Sequence, residues 1–551
     1  MDTRSVRSAT AGGRSAAAGG RSAGTAAGAD ARVEARFAEA REKLSHHFGY
    51  PDFRGVQPRA IRATLAGRDV LVLMPTGGGK SLCFQIPALV LPGLTLVVSP
   101  LISLMKDQVD ALRRHGIPAT YINSTLGTSE VEARLAACAH GGTKLLYVAP
   151  ERFDSADFRR RLRGFEISLL AIDESHCISE WGHDFRPSYR RLGEVRSALG
   201  CPTVALTATA TPTVREDILA QLGLDRPVIL TGGFDRTNLS WHVIATRNEP
   251  DKDRVLLKLL HKPRDGVAVV YAPTRRKVDA LADLINHTGI RAAGYHAGAT
   301  AADRHRLQED FMRGDTPVIV ATSAFGMGID KPDVRLVVHH AMPATLESYY
   351  QEAGRGGRDG GPADCALLHA YQDRFTHEFL IDQRHPPEDT VRNVLATLMR
   401  ERGGDVAARI TLTRLASLAH VPGGPEQADA ALRILGRADA LHVVPAPRNS
   451  DPDLRIVAFE TDAVEPARIN WKSARRDRDR EYEKLMWMQR YAYHTGCRRG
   501  FVLRYFGDPA AMRHCAACDR CLAGQAMLPG ARPPAGTRSR RARDALTRML
   551  R

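Results

Sequence analysis

Val70-Leu-Val-Leu runs without a break into Met74-Pro-Thr-Gly-Gly-Gly-Lys-Ser81. Few folds accept an apolar strand that turns at three glycines and ends in Lys-Ser. The strand must be buried, the glycines must let backbone N–H groups turn inward, and a helix must start at the serine. In such a cradle Thr76, Gly77, Gly78 and Gly79 wrap phosphate oxygens, Lys80 neutralises the β/γ-phosphates, and the Ser81 hydroxyl holds Mg²⁺. The commonest form of this loop begins with a glycine where this chain has Met74, so the segment alone also fits a plain structural turn.

A partner for the cradle lies about ninety residues on, where the apolar run Leu169-Leu-Ala-Ile ends in Asp173-Glu-Ser-His176. Asp173 would complete the Mg²⁺ shell and Glu174 would polarise an attacking water, which together with the cradle points to ATP hydrolysis. Apolar runs at Val70–Leu73, Thr95–Val98, Lys144–Val148, Leu169–Ile172 and Val204–Thr207 alternate with helical stretches. The alternation resumes at Val267–Tyr271, Arg291–Tyr295, Pro317–Ala321 and Val334–Val338. Such runs predict α/β architecture, with parallel sheets covered on both faces in two RecA-like lobes over residues 41–235 and 236–371. Only the first has a phosphate loop. The second offers Gln351-Glu-Ala-Gly-Arg-Gly-Gly-Arg358, where Arg355 and Arg358 stand beside flexible glycines suited to reaching a γ-phosphate across a cleft.

A net charge of +16 implies a polyanionic partner. No stretch is long and apolar enough for a membrane span, so the expected location is the cytoplasm and nucleoid of a bacterium or the nucleus of a eukaryote. Residues 1–40 read as a basic tail too poor in apolar side chains to build a core, and 525–551 as a second one. Five scattered cysteines (Cys83, Cys138, Cys177, Cys201, Cys365) look like ordinary thiols of a reducing compartment. Cys497, Cys515, Cys518 and Cys521 are spaced for a tetrahedral Zn²⁺, with unligated thiols or a redox pair as the alternatives.

Together these segments resemble the RecQ family of superfamily-two DNA helicases, over residues 44–371 and the cysteine cluster. Phe48-Gly-Tyr-Pro-Asp-Phe-Arg-Gly-Val-Gln57 resembles the family's opening motif, which implies that Tyr50 and Arg54 sandwich adenine and Gln57 reads its edge. Ser99–Gln108 and Tyr147–Arg152 resemble strand-tracking motifs, and Thr207-Ala-Thr209 the coupling motif. Ser179-Glu-Trp-Gly-His-Asp-Phe-Arg-Pro187 resembles the aromatic-rich loop that links DNA contact to hydrolysis. Val320–Asp330 resembles a motif touching DNA and nucleotide, which brings Asp330 into the nucleotide site. The glycine-arginine segment resembles the arginine-finger motif, with Arg358 the best candidate. Residues 467–524 resemble the family's helical zinc module. The resemblance implies ATP, Mg²⁺ and Zn²⁺ as cofactors, single-stranded and tailed duplex DNA as partners, and 3′→5′ unwinding in repair or recombination. An RNA helicase, a double-strand translocase, or a DNA-binding or annealing protein with a vestigial ATPase are the rivals. Protein partners are not legible.

The chain departs from the family's usual order. About thirty residues follow Cys521, too few for the winged-helix domain expected there, while about a hundred extra residues precede the zinc module. Within that insert, 372–466, the pattern predicts helices at 390–402, 411–419 and 425–440, then strands at 441–444 and 454–459. That order is a winged helix moved upstream. Its expected role is to engage duplex DNA, with 448–453 as wing tip and the third helix facing a groove. Glu426, Asp429 and Asp439 argue for a structural or protein-contacting module instead.

Overall fold

The computed structural model describes residues 20–323, 325, 331–402, 407–438, 440–444, 450–459 and 469–526. Asp330, Asp439, residues 448–449 of the wing tip, residues 1–19 of the first tail and 527–551 of the second lie outside them.

In lobe one the strands are β1 (Val70–Leu73), β2 (Leu94–Val98), β3 (Ala119–Ile122), β4 (Leu145–Val148), β5 (Ile167–Ile172), β6 (Thr203–Thr207) and β7 (Val228–Thr231). They form one parallel sheet in the order β3-β4-β2-β5-β6-β1-β7. β1, β2, β4 and β6 are buried at every position, as strands covered on both faces by helices must be. Lobe two repeats the plan with β8 (Leu239–Ala245), β9 (Val267–Tyr271), β10 (Ala292–Tyr295), β11 (Val318–Ala321), β12 (Val334–His339) and β13 (Ala363–His369), ordered β10-β11-β9-β12-β13-β8 and all parallel.

The strand C-termini form a rim that positions the site. Passing along lobe one's rim from β1 through β6 and β5 to β2 and β4, one meets the phosphate loop, Thr207-Ala-Thr209, the acid pair and then the two strand-tracking motifs. Nucleotide groups and strand-contacting groups are therefore neighbours on one edge, where ligands of open α/β sheets bind.

The opening segment departs from expectation. A helix spans Gly20–Phe48, so much of the stretch read as tail packs instead. Phe37, Ala40 and Leu44 are buried on one face of it, with the Phe37 and Phe53 rings 5.5 Å apart and the Arg62 guanidinium 3.6 Å over Phe37.

After β13 an entry helix (Asp373–Arg384) leads into the insert, and a return helix (Trp471–Tyr493) leads out. The two lie side by side. Arg478 and Tyr482 both donate to Asp382, and Glu481 pairs with Arg384 and His385. Between them come the helix Glu388–Glu401, β14 (Ala407–Thr411), the helices Leu412–Leu418 and Gly424–Arg437, then β15 (His442–Val444) and β16 (Leu454–Ala458). β16 pairs antiparallel with both β14 and β15, completing a winged helix with its own core around Leu398, Leu415, Leu432 and Val457. The strand β14 is absent from the sequence reading. In the third helix Gln427 donates to the Asp382 carbonyl of the entry helix, and Ala428, Ala430, Ala431 and Leu432 are buried. Its inner face is spent on packing. The helix expected to face a groove leaves Glu426, Arg433 and Arg437 exposed, an outer face of mixed charge.

The return helix continues into Arg498–Tyr505 and Asp519–Ala526, which frame the four cysteines.

Candidate functional site

The phosphate loop is held by its lobe before any nucleotide arrives. Gly77 and Gly79 take φ of 80° and 75°, open to glycine at little cost, and a Cβ at Gly79 would lie 2.6 Å from Gln57 Nε2. Gln57, 3% exposed, donates through Nε2 to the carbonyls of Gly78 (3.3 Å) and Gly79 (3.0 Å), while its Oε1 accepts from the Arg54 N–H at 2.8 Å. The residue expected to read adenine thus also props the loop. Tyr50 is 45% exposed with the Arg54 guanidinium 5.6 Å from its ring centroid, so the two groups expected to sandwich adenine are neighbours. Lys80 donates to the Met74 carbonyl at 3.4 Å, and Ser81 begins the helix that follows.

Asp173 and Glu174 leave β5, with the coupling motif at the end of β6 lying between them and the loop. Burial and the adjacent Glu174 push the Asp173 carboxyl upward; a divalent cation placed there would reverse that. Burial would raise Glu174 too, but the hydrogen bond and charge of His176, with Lys80, bring it below the usual carboxylate range. Glu174 sits at φ 46°. His176 Nδ1 lies 3.2 Å from Glu174 Oε2 and 2.9 Å from Thr207 Oγ1, joining the acid pair to the coupling motif. The His183 ring stacks on His176 at 4.4 Å.

Across the cleft the two arginines part company. The Arg358 side chain runs over Gly77, its Cγ 3.4 Å from where a Cβ would be, which puts it at the phosphate loop. Arg355 is 6% exposed and hydrogen-bonds Tyr271 inside lobe two. Sequence reasoning missed Arg236. Its guanidinium donates to Thr76 O of the phosphate loop at 3.1 Å and to the Gly354, Gly356 and Gly357 carbonyls, tying the two halves of the site directly. Nothing in its spacing singles it out, because one arginine in a linker has no periodic signature.

The four thiols meet as their spacing implies, each sulfur within 4.8 Å of the others. Backbone N–H groups of Gly500, Arg498 and Cys515 point at the sulfurs of Cys497, Cys518 and Cys521 at 3.3 to 3.4 Å, as thiolates require. Hydrogen bonding among the thiols draws Cys497 and Cys518 down to about 6. The donor set and closeness fit a structural Zn²⁺. Arg498, fully buried, ties the knuckle to the return helix through Tyr491 O and Asp519, and Arg499 donates to Thr237 O and Leu239 O at the start of lobe two. The module also grips lobe one: Arg215 donates to Phe506 O, and the Phe234 ring between the lobes stacks on Phe506 at 4.8 Å.

Among the described residues no helix is long and apolar enough to cross a membrane.

Three family models match the chain: DEAD/DEAH box helicase over residues 54–218, helicase conserved C-terminal domain over 251–360, and RecQ zinc-binding over 460–522. The chain is 47% identical over 352 residues to the ATP-dependent DNA helicase RecQ of Bacillus subtilis, covering 63% of this chain and 59% of that protein. It is 44% identical over 381 residues to the ATP-dependent DNA helicase RecQ of Pasteurella multocida, covering 69% and 59%. The chain therefore spans less than two thirds of either relative's length. In fold it is similar to the DUF1998 helicase MrfA bound to DNA (TM-score 0.51, 18% identity, 78% of this chain and 63% of that one). It is also similar to the DEAD-box helicase Mss116 bound to ssRNA (TM-score 0.52, 17% identity, 61% and 74%). With two RecA-like lobes carrying the nucleotide motifs, a four-cysteine module matched by the RecQ zinc-binding model, and relatives of this identity, the chain belongs to the RecQ family of superfamily-two helicases.

Proposed function

We propose that the protein is an ATP-driven DNA helicase that tracks single strands 3′→5′ and separates tailed duplexes in repair or recombination. The observation that carries this is the meeting of Lys80, Asp173 and Glu174 on lobe one with Arg358 of lobe two over Gly77. A cleft whose phosphate groups come from both lobes completes its charge neutralisation only when the lobes are set correctly, which couples hydrolysis to lobe movement. Lys80 and Arg358 supply positive charge where phosphoryl charge develops. Ser81 and Asp173 would hold Mg²⁺, which would supply charge neutralisation for the phosphates. Glu174, held low by His176, is ionised and orients the attacking water. Tyr50, Arg54 and Gln57 receive the base; Asp330 completes the set proposed for the nucleotide.

The segments that resemble strand-tracking motifs lie on the same rim as the acid pair, which supports a strand moving beside the hydrolytic centre. One assay tests the reading: ATP hydrolysis with single-stranded DNA, duplex DNA or RNA as stimulant, followed by strand displacement from a 3′-tailed duplex. Stimulation by single-stranded DNA with displacement is expected. Stimulation by RNA alone would replace the reading with that of an RNA helicase, and binding without turnover with that of an annealing protein.

A further inference from the structure

The aromatic-rich loop is held from outside both lobes. Within it, Trp181 N donates to Ser179 Oγ at 3.2 Å, and Ser179 Oγ donates to Asp217 at 2.6 Å. Gly182 rests so closely on the acid-pair segment that a Cβ there would fall 2.4 Å from the His176 carbonyl oxygen. His183 then stacks on His176, which touches Glu174. Contacts thus run unbroken from Trp181 to the group that orients water. The return helix grips the other end of this chain. Lys484 Nζ donates to Gly182 O at 2.6 Å, and Arg480 Nη1 donates to Glu180 Oε2 at 2.7 Å and to Asp477 at 3.1 Å. The Arg480 guanidinium lies 4.1 Å from the centroid of the Trp181 ring. Trp181 is 40% exposed, yet the face that could stack a base carries a cation that is itself mostly buried, at 15%. Arg190 holds Glu180 from the opposite side.

We propose that Arg480 is a latch displaced by the strand: its guanidinium caps Trp181 in the DNA-free protein and keeps the loop at rest until a base takes the ring face. This rests on the reading of the chain as a DNA-stimulated ATPase. A base and a guanidinium compete for one aromatic face, both being planar groups that stack on it. The released guanidinium is a ready phosphate ligand, so exchange trades one charge-assisted partner for another. Arg480 is a positioning residue, acting on Glu174 only through Trp181, His183 and His176.

The test uses the full chain, Arg480→Ala and Arg480→Lys, with oligothymidylate as the strand. Hydrolysis is measured without DNA and across an oligothymidylate titration; zinc content and melting temperature are read alongside. For Arg480→Ala the DNA-free rate should rise and the half-saturating oligothymidylate concentration should fall, each about three- to ten-fold, the factor a partly desolvated cation–π contact carries. The DNA-saturated kcat should stay at the parental value. Lysine keeps the charge toward Glu180 but not the planar stack, so Arg480→Lys should lie between the two and carries the test if the alanine variant melts early. A merely structural role would lower the saturated rate without sharpening the response to the strand. Parental values for both the DNA-free rate and half-saturation, or losses in both, would overturn the latch while leaving the functional reading intact. A parental chain indifferent to oligothymidylate would overturn the functional reading and the latch with it.

Discussion

Glu174 is one of four non-glycine residues at positive φ among the described residues, and the only one in the nucleotide site. A carboxylate side chain in the left-handed region is unfavourable and persists because its surroundings fix it, here the bond of Asp173 N to Val98 O of β2 and the contact of Glu174 itself with His176. Lys80→Ala and Glu174→Gln should each abolish ATP turnover while leaving strand affinity within about two-fold, since the strand-tracking motifs sit further along the rim. Turnover assays and fluorescence anisotropy on the same preparations check this. Arg358→Ala should cost about 10³-fold in kcat with little change in nucleotide affinity; equal losses in both would mark it as a ground-state ligand. Much of this site was legible. Lys80, Asp173 and the cysteines announce themselves because glycine loops, strand-terminal acids and short metal spacings are local in sequence. Arg236, His183 and Arg480 were illegible as partners, because each acts through a neighbour contributed by another part of the chain.

At the scale of elements, the missed strands explain themselves. β3, β7 and β8 are sheet edges; β3 and β8 are broken by polar residues, and β7, Val-Ile-Leu-Thr, is only four residues long with two of them exposed. β13 is interrupted by Asp364, and β14, Ala-Ala-Arg-Ile-Thr, has one large apolar residue in only five positions. The third helix of the insert was foreseen by its period, but the partner of its apolar face was not: periodicity reports that a face is buried and is silent on what covers it. Because that face is committed to the insert's own core and the exposed flank is of mixed charge, Arg437→Glu should alter duplex affinity by less than about two-fold, whereas a groove-reading arginine would cost about ten-fold or more. Anisotropy with a blunt duplex decides between them. In the zinc module the expected stoichiometry is about one Zn²⁺ per chain, and Cys515→Ser should lower both metal content and melting temperature. Soluble, active protein without zinc by metal analysis would remove the claim.

For the whole molecule, the zinc module is the common support of the two lobes. Phe506 receives Arg215 of lobe one and stacks on Phe234 between the lobes, Asp508 accepts from Phe234 N at 2.6 Å, and Tyr505 donates to Glu347 of lobe two at 2.6 Å. Phe506→Ala empties a fully buried aromatic site and should cost about 3–5 kcal/mol, read as early melting of the motor. A melting curve indistinguishable from the parent would show that the lobes do not depend on this clasp. The winged helix stands apart from that support. Its chain leaves and rejoins the parent through two adjacent helices, sharing Asp382 as their common fastening. A module hung on such a doorway can be lengthened, shortened or removed without any strand of the two lobes changing register.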